Sequence, residues 1–282
     1  MKLIRYGSAG KEQTGVQIDG KNYDTSAFGE DYNESFFESD GLTRLADFVS
    51  NNTLKELSGD IRLGSPIARP SKIICIGLNY KDHAEETGAK IPKEPIIFMK
   101  STTALIGPYD DIMIPKGSQK TDWEVEFCIV IGKKSSYVEE VDAEEYVAGY
   151  LLHNDVSERE YQLERGGTWD KGKGCDTFAP LGPVLATKDE IQDVHNVNIW
   201  LKLNGETVQN GNTCNLIFDV PYIVSYVSKF MTLLPGDVIS TGTPAGVGLG
   251  MNPPVYLKPG DMLELGADGL GVQRQRVVAY KP

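Results

Sequence analysis

Two acids, Glu124 and Glu126, interrupt the apolar run Trp123-Glu124-Val125-Glu126-Phe127-Cys128-Ile129-Val130. An extended chain turns successive side chains to opposite faces. Trp123, Val125, Phe127 and Ile129 therefore share one side, and Glu124, Glu126, Cys128 and Val130 the other. Both carboxylates point the same way, about 7 Å apart at the backbone. On a face that turns apolar again at Cys128 and Val130, like charges repel and lose hydration unless a cation or a raised pKa relieves them. A divalent metal is the economical answer; the alternative is a Glu-x-Glu on the wet face of an antiparallel sheet. Asp155, in His153-Asn154-Asp155-Val156-Ser157, lies where a strand ends and a helix capped by Ser157 begins. It is either a third ligand or a neighbour of a helix N-terminus. Two Glu and one Asp make an all-oxygen set that suits Mg²⁺, Mn²⁺ or Ca²⁺ and disfavours zinc.

His83 follows Gly77-Leu78-Asn79-Tyr80-Lys81-Asp82 and opens a short helical turn that Gly88 ends. Glu86, three residues on, shares its face. A carboxylate beside an imidazole fixes the tautomer and raises basicity, the requirement for a general base that activates water. The alternative is a surface histidine with a helical charge partner. His153 sits in an apolar strand and His195 in a polar loop. Lys173, a lone cation between glycines, suits an enolate or a substrate carboxylate; Lys171 competes for that role. The Gly-rich turn Gly242-Thr243-Pro244-Ala245-Gly246-Val247-Gly248 has amides and a Thr243 hydroxyl able to cradle a carboxylate, but matches neither a P-loop nor a dinucleotide fingerprint.

These groups need short strands to hold them. From Ile73 onward the sequence predicts strands over Ile73 to Gly77, Pro95 to Met99, Trp123 to Gly132, Val197 to Leu203 and Val238 to Thr241, punctuated by Gly and Pro. Helices are predicted for Asp142 to Tyr150, through a capping-box pattern with Glu145, and for Asp219 to Met231, with Ile223, Val227 and Phe230 facing the core. Residues 1–65 read as a small separate unit with an Asp19-Gly20 hairpin turn and an amphipathic helix from Leu42 to Val49. A Gly64-Ser65-Pro66…Pro70 linker leads to a β-rich body over 70–282.

With 282 residues, 40% hydrophobic and 24% charged, the chain has the composition of a soluble globular protein. The start lacks the apolar core of a signal peptide, and a cytoplasmic protein without membrane contact is expected. Cys75, Cys128, Cys175 and Cys214 show no CxxC spacing, so buried free thiols are expected rather than disulfides or zinc. A net charge of −12 argues against nucleic-acid partners, and a small anionic substrate must be drawn in by local cations.

Beyond residue 70 the chain resembles the fumarylacetoacetate hydrolase superfamily. The motifs are Gly77-Leu78-Asn79-Tyr80-Lys81-Asp82-His83, Asp122-Trp123-Glu124-Val125-Glu126, Asn154-Asp155-Val156-Ser157-Glu158-Arg159, Lys173 through Pro183, Asn204-Gly205-Glu206 and Thr241 through Gly248. The resemblance implies an α+β, β-rich fold, a mixed β-roll with a small N-terminal domain, and a homodimer. It implies metal ligation by Glu124, Glu126 and Asp155, catalysis by His83, Glu86 and Lys173, and substrate contacts from Arg159, Gln162 and Thr243. Two departures stand out. Lys173-Gly174-Cys175-Asp176 replaces the Lys-Ser-Phe-Asp of many members, and residues 161–171 are Gly-rich. That version looks like the branch hydrolysing 2,4-diketo-3-deoxy sugar acids such as fuconate or rhamnonate derivatives.

The expected reaction is Mg²⁺-, Mn²⁺- or Ca²⁺-dependent hydrolysis of a 2,4-diketo acid, an anionic keto acid, to pyruvate and a second acid. Acylpyruvate hydrolysis, oxaloacetate decarboxylation and diene-dioate isomerisation are alternatives on the same metal-enolate site. A non-catalytic metal- or ligand-binding β module is the alternative of another class, and it leaves His83, Glu86 and Lys173 without a shared purpose.

Overall fold

The computed structural model describes residues 1–281 as a mixed α+β, sheet-rich fold. Its main sheet runs in the order Lys55–Glu56, Lys21–Asp24, Gln13–Ile18, Lys2–Tyr6, Leu185–Thr187, Val147–Asn154, Val125–Ile131, Val238–Ser240, Ile73–Gly77 and Ile96–Lys100, with Leu63–Gly64 paired to Lys2–Tyr6. A five-stranded sheet, Glu206–Asn212, Asn198–Leu203, Met262–Ala267, Gly271–Val278 and Ile112–Met113, packs on one side. Within these two sheets pairing is antiparallel except where Val238–Ser240 meets Ile73–Gly77 and where Gly271–Val278 meets Ile112–Met113.

The acid-bearing strand lies in the middle and is covered on both faces. Val125, Phe127, Ile129 and Ile131 face the larger core, with Ile199, Leu201, Leu263 and Leu265 from the second sheet. Cys128 and Val130 face a second core made with Leu3, Val16, Tyr32, Phe36, Phe37 and Leu45. Residues 1–65 thus extend the sheet through Lys2–Tyr6 on Leu185–Thr187 and roof the face that Glu126 shares with Cys128. The Asp19-Gly20 turn closes its hairpin with both residues at positive φ, +50° and +76°, the geometry a tight two-residue hairpin demands.

Four local expectations change. Glu140–Tyr146 is a 3₁₀ segment without a side-chain cap, and Val147 to Tyr150 belong to a strand, not to a helix. Pairing on both edges overrides the capping-box signal, and Gly149 is needed there because a Cβ would lie 2.1 Å from Ala186 O. Ser157–Glu158 is a two-residue strand on Thr121–Asp122, and Glu158 rather than Ser157 caps the helix Arg159–Leu163. The helix capped by Asp219 stops at Ser228, leaving Phe230 62% exposed instead of core-facing. Regular pairing begins at Val125, because side chains take over just before it: Asn154 Oδ1 accepts from Glu124 N at 3.2 Å and Gln209 Oε1 from Val125 N at 3.0 Å.

Candidate metal centre and active site

Asp155 reaches the two glutamates because its own amide donates to Glu124 O at 2.8 Å, tying the end of Val147–Asn154 to the start of Val125–Ile131. Glu124, Glu126 and Asp155 are all buried, and each offers an oxygen within 4.8 Å of the others. Charge surrounds them. Lys173 Nζ donates to Glu124 Oε2 at 2.7 Å and to Asp155 Oδ2 at 2.8 Å. Lys100 Nζ donates to Asp155 Oδ1 at 2.5 Å and to Val156 O at 3.0 Å. Arg159 Nη2 lies 2.8 Å from both Asp122 Oδ2 and Glu124 Oε1.

Among the described residues, the ion pairs of Asp122, Glu124, Glu126 and Asp155 are therefore with three cations, Lys100, Arg159 and Lys173. Burial, with Asp155 and Glu124 nearby, pushes the Glu126 carboxyl well above its ordinary range. Burial acts on Asp155 in the same sense, but Lys100 and Lys173 outweigh it and hold that carboxyl low. Burial opposes charge on Lys173 too, yet Asp155 and Glu124 keep its ammonium protonated. A buried, all-carboxylate donor set short of positive charge fits a hard divalent cation.

Glu126 is oriented from the next strand: its Oε2 accepts from Ser240 Oγ at 2.5 Å and from Gly242 N at 3.0 Å. Ser240 has one proton, so Cys128 Sγ and His153 Nδ1, at 3.1 and 2.8 Å, donate to its oxygen. His153 is fully buried, and burial pushes its pKa down to about 3, so it serves this network as a neutral ring. His195 lies exposed, its amide on Asp193.

His83 is carried by the helix Lys81–Glu86 and is 8% exposed; its Nδ1 lies 3.4 Å from Glu86 Oε2. Glu86 Oε1 accepts the amide of Gly246 at 2.9 Å. The Gly-rich turn does cradle carboxylates, but the protein's own: Gly242 N holds Glu126, Gly246 N holds Glu86, and the amides of Gly248 and Leu249 hold Asp122 at 2.7 and 3.0 Å.

Glu124, Glu126, His83, Arg159, Gln162, Lys173 and Thr243 line one cavity of about 190 Å³, with Ile76, Leu78, Phe98, Leu163, Trp169 and Leu249 among its other walls. Lys171 instead donates to Arg165 O, which leaves Lys173 as the lysine of the cavity. Thr243 is less free than its hydroxyl suggests, donating to Val125 O at 2.9 Å and accepting from Gln209 Nε2 at 2.8 Å. Arg159 is likewise engaged with Asp122, Glu124 and Gln162 Oε1. Sequence reasoning missed Lys100, Asp122, Gln209 and Ser240. Only Asp122 carried a local signal, as part of the Asp122-Trp123-Glu124 motif.

Residues 72–278 match the family described as fumarylacetoacetate (FAA) hydrolase C-terminal. The chain belongs to that family. Within this fumarylacetoacetate hydrolase family, a Burkholderia multivorans protein named as a hydrolase without a stated substrate is 52% identical over 277 residues, 98% of each chain. A maleylpyruvate hydrolase from Sphingobium sp. SYK-6, solved in complex with manganese(II) and pyruvate, superposes with a TM-score of 0.82 at 28% identity over 100% of both chains. A 2-hydroxyhepta-2,4-diene-1,7-dioate isomerase from Mycobacterium marinum superposes with a TM-score of 0.77 at 31% identity, again over 100% of both. The chain is thus a hydrolase-like enzyme of the fumarylacetoacetate hydrolase family. No helix among the described residues is long and apolar enough to cross a membrane.

Proposed function

We propose that this enzyme hydrolyses the C3–C4 bond of a 2,4-diketo acid, R–CO–CH₂–CO–COO⁻ plus water giving R–COO⁻, a proton and pyruvate. The carrying observation is that His83, held by Glu86, opens on the same small cavity as Glu124, Glu126 and Lys173. Glu124, Glu126 and Asp155 would hold the cation. When bound, a divalent cation supplies a Lewis acid for the carboxylate and 2-keto oxygens, lowering the cost of negative charge there.

The remaining steps belong to the chain. His83 takes a proton from water at Nε2 while Glu86 steadies Nδ1–H, and the resulting hydroxide adds to C4. As the C3–C4 bond breaks, its electron pair moves to the pyruvate fragment. Lys173 stabilises that charge more than it does the neutral ketone. His83 then returns a proton to C3, and the acid leaves as R–COO⁻. The apolar walls exclude bulk water and strengthen these charge interactions.

The Gly-rich segment 161–171 and Lys173-Gly174-Cys175-Asp176 support a 2,4-diketo-3-deoxy sugar acid as the substrate, through their likeness to that branch. Pyruvate release from diketo sugar acids, acylpyruvates and oxaloacetate, with and without EDTA, tests the proposal. Loss of pyruvate with EDTA and its return with Mn²⁺ or Mg²⁺ is the expected result. Activity indifferent to chelation overturns the metal role; preference for oxaloacetate over every diketo acid replaces hydrolysis by decarboxylation.

A further inference from the structure

Apart from its acids, its two cations and His83, the cavity is lined by uncharged residues. Ile76, Leu78, Phe98, Leu163, Trp169 and Leu249 make most of that lining. The cations lining the cavity, among the described residues, are Arg159 and Lys173, and both are already paired to acids. The cations of the flanking segment are committed as well: Lys171 donates to Arg165 O, and Arg165 to Glu160. Gln162, whose Oε1 is taken by Arg159 Nη1 at 3.0 Å, retains its amide nitrogen as a neutral donor. A second carboxylate on the substrate would lose its hydration there without gaining a counter-charge, whereas an apolar end gains by burial.

The wall is built rigidly. A Cβ on Gly77 would come 2.4 Å from Trp169 Cζ3, so the indole lies directly on that backbone. Phe98 meets Trp169 edge-on at 5.2 Å between ring centroids, and Lys173 Nζ lies 5.0 Å from the Phe98 centroid. Trp169 O accepts the Lys173 amide at 3.1 Å. One short turn therefore fixes both the apolar wall and the cation at the reacting end.

Resting on the diketo-acid reading above, we infer that this cavity selects monocarboxylic substrates whose chain beyond C4 is short, uncharged and apolar at its tip, and that Trp169 and Leu163 set this preference. A deoxy sugar acid ending in a methyl group meets the requirement. A dioate, the class in the Mycobacterium marinum isomerase's name, does not.

The test is kcat/KM of the Mn²⁺-loaded enzyme on 2,4-diketo acids whose chain beyond C4 is methyl, ethyl, propyl, 1-hydroxyethyl or 2-carboxyethyl. We expect a rise of about fourfold per added methylene until the cavity is full, and the carboxylate-tipped substrate at least about a hundredfold below propyl. Leu163, 48% exposed at the cavity wall, tolerates replacement. Leu163→Lys is expected to raise the carboxyethyl-to-propyl ratio at least about tenfold, and Trp169→Ala to flatten the alkyl series. Pyruvate released fastest from the carboxylate-tipped substrate overturns the inference and leaves the reaction class standing. An unchanged ratio in Leu163→Lys removes Leu163 from the selecting wall. Pyruvate from none of these substrates overturns the reaction class itself, and the inference with it.

Discussion

The Gly246 amide donates to Glu86 Oε1 at 2.9 Å, while Glu86 Oε2 lies 3.4 Å from His83 Nδ1. The carboxylate that orients His83 is thus fixed from a turn 160 residues downstream. Gly250 closes the same pocket, since a Cβ there would fall 2.5 Å from Glu86 Cδ. His83→Ala is expected to lower kcat by about 10²–10⁴-fold, the usual worth of a positioned base. Glu86→Gln and Gly250→Ala are expected to lower it in the same sense by less. Mn²⁺ affinity by calorimetry should stay at the wild-type value in all three; its loss would show that the dyad supports the acids instead of a water.

The convergence of Glu124 and Glu126 was legible because a strand's period of two places alternate residues on one face. Asp155 was legible as a strand end. The partners that hold these acids were not: Lys100 lies 55 residues from Asp155 and Ser240 114 residues from Glu126, and no local pattern joins them. The Gly-rich turn was readable as a carboxylate cradle, but only the fold shows that its carboxylates are internal. Where local propensity and sheet pairing competed, at Val147 to Tyr150, pairing prevailed because Gly149 admits Ala186 O so closely. The N-terminal strands joined the main sheet through Lys2–Tyr6, a contact made with residues near 186 that their own sequence does not announce.

Ser240 is not among the residues lining the cavity, yet its hydroxyl holds Glu126 and accepts hydrogen bonds from Cys128 and His153. Ser240→Ala leaves Glu126 Oε2 with the Gly242 amide alone and His153 Nδ1 without its partner. Partners that orient a metal-binding side chain contribute 10–100-fold in typical sites. Mn²⁺ affinity in Ser240→Ala should therefore fall by about that factor. Calorimetric titration of the metal, without substrate, reads it directly.

Lys100 is the counter-charge that allows Asp155 to stay ionised in a fully buried place. Lys100→Met keeps most of the volume but strands a carboxylate with Lys173 as its remaining cation. Breaking a buried pair from one side costs about 3–5 kcal/mol, and urea unfolding without metal should show a loss of that order. Saturating Mn²⁺ supplies positive charge at the same acids and should narrow the deficit. A deficit unchanged by Mn²⁺ would mean that packing around the lysine stem, and not charge, is what the variant loses.

At the junction of residues 1–65 with the body, Arg62 Nη1 holds Glu12 Oε1 at 2.9 Å and Arg62 Nη2 holds Asp110 Oδ2 at 2.6 Å. Burial alone would raise the Glu12 carboxyl, but the Arg62 hydrogen bond, aided by Arg5, brings it below its ordinary value. A carboxyl depressed in the folded state adds stability above its unfolded pKa, about 4.3, and that contribution disappears as pH falls through the folded value. In Arg62→Gln the depressing partner is gone while the burial remains. The variant should therefore be less stable than the wild type at pH 7, and the gap should shrink as pH falls from about 4.3, the unfolded value, toward the depressed folded value at which the wild-type Glu12 takes up its proton. Urea midpoints at pH 7 and pH 3.5 measure the two gaps. Equal gaps at both pH values would assign the junction's strength to the hydrogen bond that Arg62 Nη1 donates to Gly7 O at 3.0 Å, rather than to its pairing with Glu12.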